Sequence, residues 1–91
     1  MSEEVQVSLR IDRLLVYLRF ARTRSAARAM IESGMLRLNR RHVQRVSETV
    51  SAGDVLTAMI GNEVRVIEVC ALPTRRLSPA AARSHYRELD P

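Results

Sequence analysis

Ninety-one residues make one small domain and leave no room for a catalytic domain beside a binding one. The composition, 46% hydrophobic and 27% charged, is that of an ordinary globular chain, yet all 15 basic residues are arginine and the formal net charge is +5. That excess makes a polyanionic partner the first hypothesis. The single cysteine excludes an internal disulfide and, with only two histidines beside it, a four-ligand zinc site.

Residues 1–8 show no periodicity and read as a flexible lead-in. Their Met-Ser-Glu-Glu start is unlike the basic opening of a secretory signal, and the longest apolar run, Leu14 to Leu18, is far below the roughly 20 residues a spanning helix needs. A cytoplasmic protein without a membrane span is the expectation. From Leu9 the pattern turns helical, with Ile11, Leu14, Leu15 and Leu18 drawing one apolar stripe and Arg10, Arg13 and Tyr17 to one side of it. Phe20 to Thr23 breaks the stripe. Thr23 is the N-cap of a second predicted helix that buries Ala26, Ala27, Met30 and Ile31 and ends at Gly34, the C′ residue. On it Arg24 and Arg28 lie four apart and share a face beside the positive helix start.

After Gly34 the period changes to strands. Met35 to Leu38 alternates, and Asn39 to His42 reads as a turn. A second turn at Ser51 to Asp54 leads into a hairpin of Val55–Ile60 and Glu63–Ala71 about Gly61-Asn62. In its second strand the apolar residues switch parity between Val66 and Ile67, which asks for a bulge or for two covered faces. Pro73 ends the sheet. Ser78-Pro79 then opens a short terminal helix in which Ala82, Tyr86 and Leu89 form the apolar stripe. Cys70, in an apolar strand, reads as a small buried hydrophobe, and His42 and His85 read as surface residues without a role.

The charge is segregated. Between Arg10 and Arg45 ten arginines face two acids, Asp12 and Glu32, so this segment carries +8 and the remainder a net negative charge. Two acids cannot pair ten arginines, which argues against a solvated face laced with ion pairs and for a directed polyanion site.

The strings Arg10-Ile11-Asp12-Arg13 and Arg22-Thr23-Arg24-Ser25, with Arg19-Phe20 between them, open a pattern that continues through Ala27, Ile31, Gly34, Leu36, Leu38 and Asn39 to Gly53-Asp54. In residue types and spacing it resembles the S4 RNA-binding domain, named for ribosomal protein four of the small subunit, over Leu9 to Ile60. Gly61-Asn62-Glu63, Arg75-Arg76, Pro79 and Tyr86 resemble the small ribosome-associated heat-shock members of that group. The resemblance implies an α+β fold in which two N-terminal helices pack on a small, mostly antiparallel sheet (the αL RNA-binding motif), with a short C-terminal helix. Its expected divisions are 1–8 lead-in, 9–72 S4-like domain and 73–91 linker and C-terminal helix. It also implies an RNA-facing surface centred on Arg24, Ser25 and Arg28, extended along the first helix by Arg10 and Arg13, with Arg22, Asn39 and Arg40 around the rim and Thr23 among the RNA-binding residues. Asp12, acidic inside a basic patch, either orients an arginine or complements the start of its helix. Departures from the pattern are arginine for lysine at Arg13 and Arg22, and Arg40 where glycine is usual, which removes the Asn-Gly pair of a tight hairpin.

The expected function is binding of structured RNA, ribosomal RNA or the large ribosomal subunit in particular, by a monomer with no cofactor, no metal and no enzymatic activity. Three aromatic residues are too few for a base-stacking platform, so recognition by shape and backbone is expected. The alternatives are an accessory RNA-recognition subunit of a modifying or translation enzyme and a DNA-binding regulator. The second helix lacks the Asn or Gln suited to reading adenine.

Overall fold

A computed structural model describes residues 7–89. Most of the expected lead-in, residues 1–6, and the last two residues lie outside that range; Val7 and Ser8 are exposed. The order is β1 (Leu9–Arg10), α1 (Ile11–Tyr17), α2 (Arg24–Glu32), β2 (Leu36–Leu38), β3 (Arg41–His42), β4 (Thr49–Val50), β5 (Val55–Ile60), β6 (Glu63–Val69), α3 (Pro79–Arg83) and β7 (Tyr86–Leu89). An antiparallel sheet runs β3-β2-β5-β6-β7, and β1 pairs with β4 beside it. The architecture is the expected α+β arrangement.

One face of the large sheet supplies Leu36, Leu38, Leu56, Ala58, Ile67 and Val69 to the core. Ile11, Leu14 and Leu15 of α1, Leu18 at its C-cap, and Ala27 and Ile31 of α2 pack with them, so the first predicted helical stripe is buried and the second is buried at Ala27 and Ile31, with Ala26 and Met30 half-buried against the core. The first helix begins at Ile11, the first residue of its apolar stripe, and not at Leu9. Leu9 and Arg10 are extended and pair with Val50 and Thr49, and Ile11 N donates to Glu48 O at 2.7 Å. Thr23 caps α2 as expected, its Oγ1 accepting from Ala26 N at 3.1 Å. Gly34 adopts φ +76° after the last turn, a conformation that disfavours any side chain.

β5 and β6 pair in one continuous register from Val55↔Glu68 to Ile60↔Glu63. There is no bulge, and the outer face is only partly covered: Val66 is half-buried opposite Leu89, whereas Val64 is exposed. The Asn39-Arg40 turn is tight despite the missing glycine, since Leu38 pairs directly with Arg41. Asn39 alone takes positive φ, at +59°, so the turn is not the doubly left-handed type that Asn-Gly favours.

Two expectations at the C-terminal end are overturned. α3 stops at Arg83, and Tyr86–Leu89 forms β7 on the open edge of β6 instead of prolonging the helix. Ser84 Oγ and His85 Nδ1 both bond to Ala81 O, which closes the helix, and His85 O then accepts Cys70 N and Ala71 N. The Tyr86 and Leu89 positions that fit a helical stripe instead pair in register with Val69 and Val66. The Tyr86 ring packs against Phe20 at 5.0 Å between centroids, and Arg65, ion-paired with Glu88, lies over the Phe20 ring. Cys70 is exposed, not buried: it follows β6 on the parity of Val64, Val66 and Glu68, the side away from the core.

Candidate nucleic-acid interface

The start of α1 and the start of α2 meet at Asp12. This carboxylate is 4% exposed, and both its oxygens are used. Oδ1 accepts from Arg10 Nε at 3.2 Å and from Arg13 N, a first-turn amide with no partner inside the helix, at 2.9 Å. Oδ2 accepts from Arg10 Nη2 at 3.0 Å and from Arg24 Nη2 at 3.3 Å. Burial pushes the Asp12 carboxyl up, but the hydrogen bonds from Arg10 and Arg24, helped by the Arg10 charge, outweigh it and hold the group below its ordinary value. The two readings of Asp12 are therefore compatible, because one oxygen pair satisfies a helix amide and orients two guanidiniums.

Arg10, Asp12, Arg24, Ser25, Arg28 and Val46 line one cleft of about 230 Å³. That is smaller than a typical small-molecule pocket, about 300–1,000 Å³. The Arg24 and Arg28 side chains are 61% and 64% exposed. Two guanidiniums hold the one buried carboxylate and a third, that of Arg28, lines the same cleft; the second acid, Glu32, only approaches Arg28 to 3.8 Å across an exposed i,i+4 pair, an interaction worth about 0.3–0.5 kcal/mol. The cleft therefore keeps a net positive charge, with the Arg10 and Arg24 donors held in place, next to the N-terminus of α2. Such a surface suits an oxyanion chain, since guanidiniums bond phosphate oxygens in pairs and helix N-termini favour anions.

The other expected RNA-facing residues fall outside the cleft. Arg13 is exposed on α1 and Arg22 is exposed in the loop between α1 and α2, and among the described residues neither is in an ion pair. Thr23 spends its oxygen as an acceptor for the α2 cap. Asn39 is tied to the sheet, its Oδ1 accepting from Val55 N at 3.0 Å and its Nδ2 reaching Asp54 Oδ1 at 3.4 Å, while Arg40 is exposed at the turn.

Sequence reasoning missed the β3–β4 loop, which reaches the cleft through Val46. Glu48 shapes that loop: its carboxylate accepts from Gln44 N at 2.8 Å, Arg45 N at 3.2 Å and Arg41 Nη1 at 2.6 Å. The Gln44 amide, followed by the Arg41 guanidinium, lowers its pKa against a smaller effect of burial. The available signal was weak, a lone valine in polar sequence one residue after Arg45. Among the described residues no group of three or more His, Cys, Asp or Glu is placed to hold a metal, and no helix is long and apolar enough to cross a membrane.

The model of the S4 domain family matches residues 9–56. A heat shock protein 15 homolog of Haemophilus influenzae is 38% identical over 82 residues, covering 90% of this chain and 62% of the relative. Heat shock protein 15 of Escherichia coli is 34% identical over 88 residues, covering 97% and 65%. The chain thus spans a little under two thirds of the length of these curated relatives. A solved structure of Vibrio cholerae heat shock protein 15, described as trimeric, superposes with a TM-score of 0.84 at 30% identity, covering 90% of this chain and 82% of that one.

Proposed function

The chain belongs to the S4 domain family as a relative of heat shock protein 15, and on that premise we propose that it is a non-catalytic protein that binds structured RNA through the α1–α2 cleft. The carrying observation is the pair of guanidiniums from Arg10 and Arg24 held by the buried Asp12 carboxylate, with Arg28 and Ser25 beside them. Arginines fixed in this way present donors at set spacing and lose little conformational freedom on binding. That favours a folded phosphate backbone over a flexible one, and A-form RNA displays its phosphates and 2′-hydroxyls across a shallow minor groove. Ribosomal RNA is the target that the resemblance implies. Arg13, Arg22 and Arg40 extend the binding surface electrostatically, while Thr23 and Asn39 support the backbone that carries it.

Competition at fixed salt among a ribosomal RNA hairpin, its unfolded single strand and duplex DNA of equal length tests the reading. Preference for the hairpin, abolished by Arg24→Ala with Arg28→Ala, supports it; equal or better binding of duplex DNA overturns it. The monomer expected from the sequence meets a relative whose solved structure is described as trimeric. Light scattering decides between the two, 10.3 kDa supporting the monomer and three times that mass the relative's assembly.

A further inference from the structure

The linker between β6 and α3 does more than connect them. It runs alongside the end of α1 and the loop that follows, stitched to them by three hydrogen bonds: Leu77 N to Tyr17 O at 3.1 Å, Arg19 Nη1 to Leu77 O at 3.2 Å and Arg76 Nη1 to Arg22 O at 3.2 Å. Each strip of the seam brings two arginines, Arg19 and Arg22 from the loop and Arg75 and Arg76 from the linker, and all four are exposed. Among the described residues none of the four is in an ion pair. Arg19 also shares the lining of a cavity of about 360 Å³ with Arg83 at the end of α3, which continues the positive surface.

Arg19 and Arg76 are anchored on neutral carbonyls. A carbonyl fixes a guanidinium without cancelling its charge and leaves most of its five N–H donors available. The seam therefore carries four like charges outside any ion pair among the described residues, two of them oriented, an arrangement that repels itself until an anion is supplied. It also adjoins the cleft, since Arg22 and Arg24 are two residues apart and their Cα atoms lie within about 7 Å, the reach of that much extended chain.

We propose that this loop–linker seam is a second phosphate-binding surface, which grips the RNA strand flanking the segment held in the α1–α2 cleft. The proposal rests on the RNA-binding reading above and adds to it a footprint that includes residues beyond the matched S4 segment. An RNA backbone is the occupant because the neighbouring cleft offers the same oxyanion chemistry and one strand can cross both.

The Arg75 and Arg83 side chains make no hydrogen bond or ion pair among the described residues, so Arg75→Gln with Arg83→Gln removes charge without removing a side-chain bond that holds the fold. The experiment is a salt titration of affinity, by fluorescence anisotropy, for a bare RNA hairpin and for the same hairpin with single-stranded flanks. Wild type, this double variant, Arg76→Gln and the Arg24→Ala, Arg28→Ala variant are compared. The seam variants are expected to bind the bare hairpin as wild type does and the flanked hairpin more weakly, with the log–log salt slope reduced by about 0.7–0.9 for each phosphate no longer neutralised. The cleft variant is expected to lose both RNAs. Wild-type slopes for the seam variants on both RNAs, with the cleft variant still defective, overturn the seam and leave the cleft reading standing. Failure of wild type to bind either RNA overturns both. Seam variants that lose binding to anionic phospholipid vesicles while binding flanked RNA normally assign the patch to a membrane and also overturn the proposal.

Discussion

Replacing Asp12 by asparagine probes the cleft at its base. The carboxylate accepts four hydrogen bonds, three from the guanidiniums of Arg10 and Arg24 and one from Arg13 N. Breaking a fully buried ion pair costs about 3–5 kcal/mol. Here the Arg10 and Arg24 side chains are 40% and 61% exposed, so water takes up part of the loss, and the asparagine oxygen still serves the Arg13 amide. The expected destabilisation is about 1–2 kcal/mol at pH 7, a fall in Tm of roughly 4–16 °C for a domain of this size. The pH dependence follows from the lowered pKa of Asp12. A carboxyl whose folded-state pKa is depressed stabilises the fold above its unfolded-state pKa, near 3.9, and the contribution fades as pH falls through the lower folded value. Asparagine does not titrate, so the gap between wild type and variant is full from about pH 5 upward and narrows as pH falls through the depressed folded value. Urea unfolding followed by circular dichroism at pH 7, 4 and 2.5 measures it. A gap that stays constant across this range, or is absent at pH 7, refutes the assignment of Asp12 as the charged anchor of two arginines.

Thr23→Ala removes the acceptor for Ala26 N at the start of α2 and should cost about 1 kcal/mol in chemical denaturation; no measurable loss contradicts the cap. Tyr86→Ala removes the ring packed on Phe20 and loosens β7 from the edge of β6, so amides of β6 should gain hydrogen exchange while those of β2 do not. The exposed Cys70 thiol should react with an aromatic disulfide reagent in the folded protein nearly as fast as in denaturant, and strong protection places it back in the core.

The starts of α2 and α3 and the end of α2 were legible in the sequence because short-range physics sets them. Thr23, Gly34 and the Ser78-Pro79 pair each act within one turn of their own position, and the Ile11 to Leu18 stripe reports burial directly. Strand edges are not local in this sense. Whether Tyr86 continues a helix or completes a sheet depends on the unpaired edge of β6, which the chain meets only after folding, and the i, i+4, i+7 spacing of Ala82, Tyr86 and Leu89 is compatible with helix until Ser84 and His85 close the turn. The exposure of Cys70 depends on the register of β6 in the same way. At the candidate site, charge segregation and the Arg24, Arg28 spacing pointed to the surface. The convergence of Arg10 and Arg24 on one carboxylate, and the approach of Val46 from a distant loop, are tertiary facts that no spacing encodes.

The central claim is that RNA lies on the α1–α2 cleft. The most direct measurement is an amide chemical-shift map of the ¹⁵N-labelled protein titrated with a ribosomal RNA hairpin. Arg10 to Arg13, Thr23 to Arg28 and Val46 should shift most and saturate together. Maximal shifts on the opposite face of the sheet, at His42, Thr57 and Val66, with the two helix starts unmoved, contradict the account.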